Sequence, residues 1–446
     1  MLIRFVVENF LSFSEESEFN MLVGNFKTHK KHINNGAVKT LRAAAIYGAN
    51  GAGKSNIVKG IEFLQDAVQE GGIYRSVNNY KFRLNEEFKE RPVSFELELG
   101  ISNKVYAYGV RFNNNQVVEE WLFESGITKE DKLIFSRELT KTGVIAIQVA
   151  NKYQKTNEQK LLIKLLRDNL LKNNELLLCK DELLKIKELS DVKNKIIEDI
   201  IVIHPQTRYA GLVSNLVVSK EFKEFANNLL ETFDTGIGGL AIESVELGKY
   251  LGEDDEELKN ELIAELQNEP SVLLNHKGRG VLVTSENDKY EVKRAVANHF
   301  DNNGNIVPFE LEDESDGTQR LLDFIPALNG ILSSDVTFII DEIDQSLHPA
   351  LLKSLIAKVM SEVDVKGQLV FTTHESNLLD LDIFRQDEIW FVEKNRQKGN
   401  SNIYSLSEFK PRYDLDIRKG YLKGRFGAIP FMARLEDLNW NRNEEA

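Results

Sequence analysis

Apolar and polar positions alternate in several distinct textures along the chain. Residues 2–7 (Leu-Ile-Arg-Phe-Val-Val) and 41–47 (Leu-Arg-Ala-Ala-Ala-Ile-Tyr) read as strands, the second mostly apolar, as a strand buried on both faces would be. Residues 55–70 place Ile57, Ile61, Leu64 and Val68 at helical spacing. Between 93 and 123 the period falls to two, with Val93, Phe95, Leu97 and Leu99 on one face, which predicts antiparallel strands. Residues 158–200 are rich in Leu, Lys and Glu and lack Gly and Pro; they predict two or three helices without the clean heptad of a long coiled coil. Residues 253–269 hold eight acidic residues and one Lys, which predicts a solvated helix or loop, and 281–293 read as a hairpin. From Phe338 onward strand and helix alternate again. The expected architecture is an α/β domain built from both ends of the chain. It has an N-terminal part at 1–150, an inserted, mostly helical lid or arm at 151–300, and a C-terminal part with a basic tail at 301–446.

Candidate chemistry sits at the ends of these elements. Residues 48–55, Gly-Ala-Asn-Gly-Ala-Gly-Lys-Ser, fit the phosphate-loop pattern between an apolar strand and a helix. Gly48, Gly51 and Gly53 let the backbone curl and turn its N–H groups inward, with Asn50 at the tip and Asn56 just inside the helix. Lys54 is expected to place its charge on the β- and γ-phosphates of ATP, and the Ser55 hydroxyl to ligate Mg²⁺. A second apolar strand, 336–340, delivers Asp341 and Glu342; the first carboxylate suits Mg²⁺, and the second, pointing elsewhere, suits activation of water. Ser315, Gly317, Thr318 and Gln319 precede a helical run, as either an anion-binding helix start or an ordinary cap. Strand 370–373 ends in His374, within reach of a γ-phosphate if the strand lies beside the loop.

In this order the four elements resemble the ABC-type ATPase head, in its SMC-like and OLD-like branch. The resemblance equates 48–55 with Walker A, 315–319 with the signature motif, 338–342 with Walker B, His374 with the switch histidine and Asp344 with the D-loop. It also matches Val7-Glu-Asn9-Phe10-Leu-Ser12-Phe13 to the branch's first strand. The signature departs from the common form by carrying Glu314 and Asp316, and no Q-loop glutamine stands out beyond Gln116 and Gln148. The variants Glu-Ser-Asp-Gly-Thr, Asp-Glu-Ile-Asp-Gln-Ser-Leu-His-Pro and Thr-Thr-His-Glu-Ser narrow the likeness to AbiL- and RloA-type anti-phage ATPases. The resemblance implies two ATPs sandwiched between two heads, in a homodimer or larger homo-oligomer. It also implies a sensor or regulator role in abortive infection and a separately encoded, nuclease-like effector.

Composition limits the alternatives. The 446 residues carry a net charge of −14, against a globally basic nucleic-acid coat protein. The single cysteine, Cys179, excludes an internal disulfide framework and reads as a buried core thiol. No leader and no apolar run near ~18 residues is visible, so a cytoplasmic protein without a membrane span is expected. The basic runs Lys27–His32 and 410–425, the latter interleaved with Tyr413, Tyr421 and a nearby Phe426, read as a nucleic-acid grip or as a solvated or protein-docking surface. A self-contained, ATP-gated DNA- or RNA-processing enzyme is the rival reading, with Asp414-Leu-Asp416 offering the Asp-x-Asp spacing in the basic C-terminal stretch. A transporter subunit fits less well, because its signature lies closer to the common form.

Overall fold

A computed structural model describes residues 1–126, 130–205, 211–252, 255–276, 279–286, 289–412 and 415–429. The chain divides into two compact units, Met1–Ile200 with Val370–Ala446, and Ile201–Leu369.

The first unit holds a seven-stranded antiparallel sheet. Its order is Ile145–Val149, Lys132–Leu139, Gln116–Glu124, Lys104–Asn113, Val93–Ile101, Leu2–Glu8 and Ser17–Asn20. The period-two pattern sets its faces: Val93, Phe95, Leu97 and Leu99 are buried, while Ser94, Glu96 and Glu98 are not. Ser102 and Asn103 both take positive φ (47° and 63°), as the two-residue hairpin joining Ile101 to Lys104 requires. The Lys54–Gln69 helix buries Ile57, Ile61, Leu64 and Val68, and its Phe63 packs in an aromatic cluster with Phe10, Tyr80, Phe95 and Phe112. A second sheet in this unit runs 370–373, Ala43–Tyr47, Ile389–Lys394, Ser401–Ser405. Ala43–Tyr47 pairs parallel with Ile389–Lys394, and every one of its five residues is buried. A strand covered on both faces reads as a continuous apolar run for this reason.

Helices Asn157–Leu165, Asp181–Leu184 and Lys187–Glu198 belong to this first unit, where Gln65 Nε2 donates to the Ile196 and Ile200 carbonyls. The inserted region is therefore not one body spanning 151–300 but is divided between the two units. Its second half lies in the other unit and combines the helices Gly211–Val218, Lys220–Thr232, Leu247–Leu251 and Glu256–Glu265 with a sheet: Gly239–Glu246, Lys289–Phe300, Arg279–Glu286 and Ser271–His276 pair antiparallel, and Ile306–Glu310 adds to Lys289–Phe300. Val272, Val283 and Val292 stand opposite one another across three strands, a ladder of β-branched side chains that favours sheet. The expected hairpin at 281–293 is the central pair of this sheet, flanked by Ser271–His276 and Gly239–Glu246, with 287–288 outside the described residues. Of the acidic run, 253–254 also lie outside them; Glu256–Glu265 is a helix that sends Leu262, with Leu266 just beyond, into a cluster with Leu247, Leu251, Val281, Val283 and Val292.

The second unit also carries the Asp316–Ser333 helix, the Thr337–Ile340 strand and the Pro349–Ser361 helix. The first runs straight through Pro326. Its apolar residues on several sides, Leu321, Phe324, Ile325, Leu328 and Ile331 among them, are buried, and that burial outweighs the roughly 3 kcal/mol an interior proline costs a helix.

Candidate nucleotide site

The loop at 48–55 leaves the end of the buried Ala43–Tyr47 strand and runs into the Lys54–Gln69 helix. Gly51 (φ +75°) and Gly53 (φ +112°) take backbone conformations that side chains disfavour, and a Cβ on Gly48 would meet the Val392 carbonyl at 2.5 Å. Lys54 is buried, and its Nζ donates to the carbonyls of Gly48 (2.8 Å) and Ala49 (3.3 Å). A buried ammonium has to be paired, and the loop's own oxygens do this. Ser55 is half-buried in the helix's first turn, Asn50 is exposed at the loop tip, and Asn56 Nδ2 donates to Ser12 Oγ (2.7 Å).

Residues 48–52 form one wall of a cleft of about 1010 Å³. The facing walls are 392–396 with Gly399, and Tyr421, Leu422, Ala428 and Ile429. His374, exposed immediately after the Gln368–Thr373 strand, lines the same cleft with Ser376. Thus the phosphate-loop residues and His374 meet in one place. Exposed Lys394 and Arg396 add positive charge to the rim. A cradle of glycines, a helix N-terminus and a cation at its centre fits a polyphosphate. Gln116 and Gln148 do not line the cleft: both are exposed on strands of the antiparallel sheet, so neither serves as a nucleotide-contacting glutamine.

Within the other unit, Ser315 caps the Asp316–Ser333 helix. Its Oγ accepts from the Thr318 amide (3.2 Å) and lies 2.9 Å from Thr318 Oγ1. Gln319 Nε2 donates to the carbonyls of Glu312 and Glu314, while Asp316 is exposed. A Cβ on Gly317 would stand 2.9 Å from the Ser346 carbonyl, so a glycine lets this turn approach 344–347 closely. Asp341 is buried and its amide donates to the Ile203 carbonyl (2.9 Å). Glu342 takes φ +49°. A left-handed glutamate costs free energy and turns the chain sharply after the buried Asp341. Asp344 follows in the same turn, where its carbonyl accepts from Leu347 N, and His348 caps the next helix through the Ala350 amide.

Three residues central to this geometry receive no role from a motif reading. Arg320, one residue past the signature stretch and 2% exposed, donates to the carbonyls of His204 (3.0 Å) and Asp341 (3.1 Å) and lies over the Phe324 ring. Asn9 is fully buried at φ +55°; it donates to the Phe88 and Arg91 carbonyls and accepts from the Phe82 amide, which anchors the 9–14 loop. Ser401, 1% exposed, donates to Ala52 in the phosphate loop. Arg320 carries no motif of its own here, Asn9 stands in the matched 7–13 run with no role assigned to it by the motif, and Ser401 stands some 350 positions from its partner.

A family model described as "AAA domain, putative AbiEii toxin, Type IV TA system" matches residues 43–171 and 210–380, about two thirds of the chain. The chain belongs to this AAA family. Among curated proteins nothing matches. Among solved structures the AAA chain is similar to an SMC head domain from Thermotoga maritima, 13% identical with TM-score 0.39, over 91% of this chain and 98% of that one. It is also similar to an Smc head domain with an extended coiled coil bound to the C-terminal domain of ScpA, derived from Pyrococcus furiosus. That chain is 15% identical with TM-score 0.39, over 95% of this chain and 99% of that one.

Other sequence candidates in this AAA protein have structural roles. Tyr421 and Phe426 are buried and stack on Phe391, so they are not free to stack on bases; Tyr413 and Asp414 lie outside the described residues, as does 430–446 of the basic tail. Asp416 caps the Ile417–Leu422 helix through the Lys419 amide. In the run 27–32 the lysines are exposed, but His32 is buried 3.0 Å from both oxygens of buried Glu388. Burial pushes the Glu388 carboxyl well above its ordinary value. Cys179 is half-buried rather than fully in the core; its thiol donates to the Val68 carbonyl and burial pushes it up to about 12. Among the described residues no helix is long and apolar enough to cross a membrane.

Proposed function

We propose that this AAA protein is an ATP-hydrolysing sensor or regulator of a bacterial anti-phage defence system. In this reading two ABC-type heads pair when ATP binds, and the cycle controls a separately encoded, nuclease-like effector. The observation that carries it is the glycine-rich loop at a helix start, which lines one cleft together with His374. The toxin–antitoxin wording of the family description supports a defence role.

ATP with Mg²⁺ supplies the phosphoanhydride and the metal charge when bound. Gly48, Asn50, Gly51, Gly53 and Asn56 shape the cradle, and Lys54 neutralises the outer phosphates. Ser55 and Asp341 would supply the oxygens that hold Mg²⁺. Glu342 accepts the proton of the attacking water, and His374 donates to the terminal phosphate. Ser315, Gly317, Thr318, Gln319 and Asp344 act on the nucleotide held by a second protomer.

The test is the mass of Glu342→Gln protein by light scattering with and without ATP–Mg²⁺, beside the turnover of both proteins. A rise in mass with ATP retained, and turnover lost, is expected. A strict monomer with unaltered turnover would overturn both the pairing and the base assignment.

A further inference from the structure

We propose that Ser401, assisted by Ser12, is a positioning residue that sets the phosphate-facing geometry of the loop; this rests on the ATP reading above. Ser401 Oγ donates to the Ala52 carbonyl (2.5 Å) and to Ser12 Oγ (2.8 Å), one proton shared between two acceptors. Asn56 Nδ2 donates to the same Ser12 Oγ (2.7 Å), and the Ser401 amide donates to the Ser12 carbonyl (2.7 Å). The two hydroxyls therefore bridge residue 52, before the helix, to residue 56, within its first turn, across Gly53, Lys54 and Ser55.

In a trans peptide the carbonyl and the next N–H point in opposite directions, and the described backbone has no cis peptide. Holding the Ala52 oxygen on Ser401 turns the Gly53 N–H to the side away from the serines, the side left for phosphate. A Cβ on Gly53 would collide with both hydroxyls, so the serines also occupy the space that makes glycine necessary there. Ser401 directly follows the 395–400 turn, whose Asn395, Arg396 and Gly399 line the cleft. Ser12 sits in the loop that Asn9 anchors.

The experiment is calorimetric titration of the full chain with ATPγS and Mg²⁺, with melting of the nucleotide-free proteins alongside. Ser401→Ala is expected to bind about tenfold more weakly, the equivalent of one buried hydrogen bond. Ser12→Ala is expected to lose about threefold, because Ser401 keeps the carbonyl. Ser401→Cys, a weaker donor, falls between Ser401→Ala and wild type. The double alanine variant binds no more than about twofold more weakly than Ser401→Ala, since the two hydroxyls act on one peptide. Wild-type affinity in Ser401→Ala, even with a lowered melting point, overturns the proposal, and so do fully multiplicative losses. If Ser401→Ala fails to fold, half-buried Ser12 carries the test, and unchanged affinity in Ser12→Ala overturns the proposal. Lys54→Ala separates the two readings. If it binds ATPγS like wild type, the ATP reading itself fails; if it loses binding while the serine variants do not, only the serine bridge fails.

Discussion

Replacing Arg320 with Leu should loosen the carboxylate-bearing strand end from the helix that begins at the signature stretch. Arg320 is 2% exposed, and its guanidinium donates to the carbonyls of Asp341 and His204 while lying 4.6 Å over the Phe324 ring. Hydrogen bonds from a charged donor contribute about 1.5–3 kcal/mol each, and the ring contact about 0.5–1 kcal/mol. The terms are not additive, and leucine restores some packing, so a net loss of about 3 kcal/mol is expected. Lysine, a point charge without a fork, can satisfy one of the two carbonyls and should lose about half as much. For a unit of this size the leucine variant should melt roughly 6–12 °C lower. The functional consequence is specific: ATP affinity stays near wild type, because the phosphate loop is untouched, while kcat falls because Asp341 and Glu342 are less well held. Urea denaturation, calorimetric ATP binding and phosphate release measure the three quantities. A leucine variant that melts within about 2 °C of wild type, or one that loses affinity while keeping kcat, would refute the reasoning.

Gly53→Ala should abolish detectable ATP binding, because φ +112° and the neighbouring serine hydroxyls leave no room for a methyl; retained affinity by calorimetry would show that the loop can rearrange. The Cys179 thiol, raised to about 12 by burial, should alkylate with iodoacetamide at pH 8 at under about a tenth of the rate of an unperturbed thiol. Glu388 is raised by burial, so the native state keeps this proton to higher pH than the unfolded chain does. Its stabilising contribution is fully present below the ordinary carboxylate value and is lost as pH rises through the raised one. Glu388→Gln should therefore flatten the fall in denaturant midpoint from pH 5 to pH 8, and an unchanged slope would count against it.

The elements that sequence reading finds well are those whose burial follows a single period. The 93–99 alternation and the 55–70 helix appear where the pattern puts them, and the expected 41–47 strand holds over Ala43–Tyr47, because one face or both faces of each meet the core. The stretch from 239 to 310 is different. Its strands are partly buried, and residues such as Leu273 and Ile306 stay exposed, so the apolar positions mark no single face. Short runs with leucine and glutamate nearby are then compatible with helix or strand, and cross-strand partners such as Val272, Val283 and Val292 decide the outcome.

The site divides along a similar line, between residues whose chemistry shows locally and residues whose value lies in a distant partner. Glycines that must adopt positive φ, a lysine on a helix start and carboxylates at a strand end are local necessities, and 48–55 and 341–342 are readable for that reason. Asn9, Arg320 and Ser401 are ordinary polar residues until the fold brings backbone carbonyls and amides to them. The same principle corrects the aromatic residues of the basic stretch. Tyr421 and Phe426 sit among lysines and arginines in the sequence, yet Phe391, about 30 positions upstream, takes both rings into the core. A local pattern of charge and aromaticity cannot encode that packing, because the competing partner lies on a different strand. Motif glycines and carboxylates therefore identify which chemistry a site is built for, whereas the residues that hold it in register become visible only once the carbonyls, amides and rings they serve have been placed.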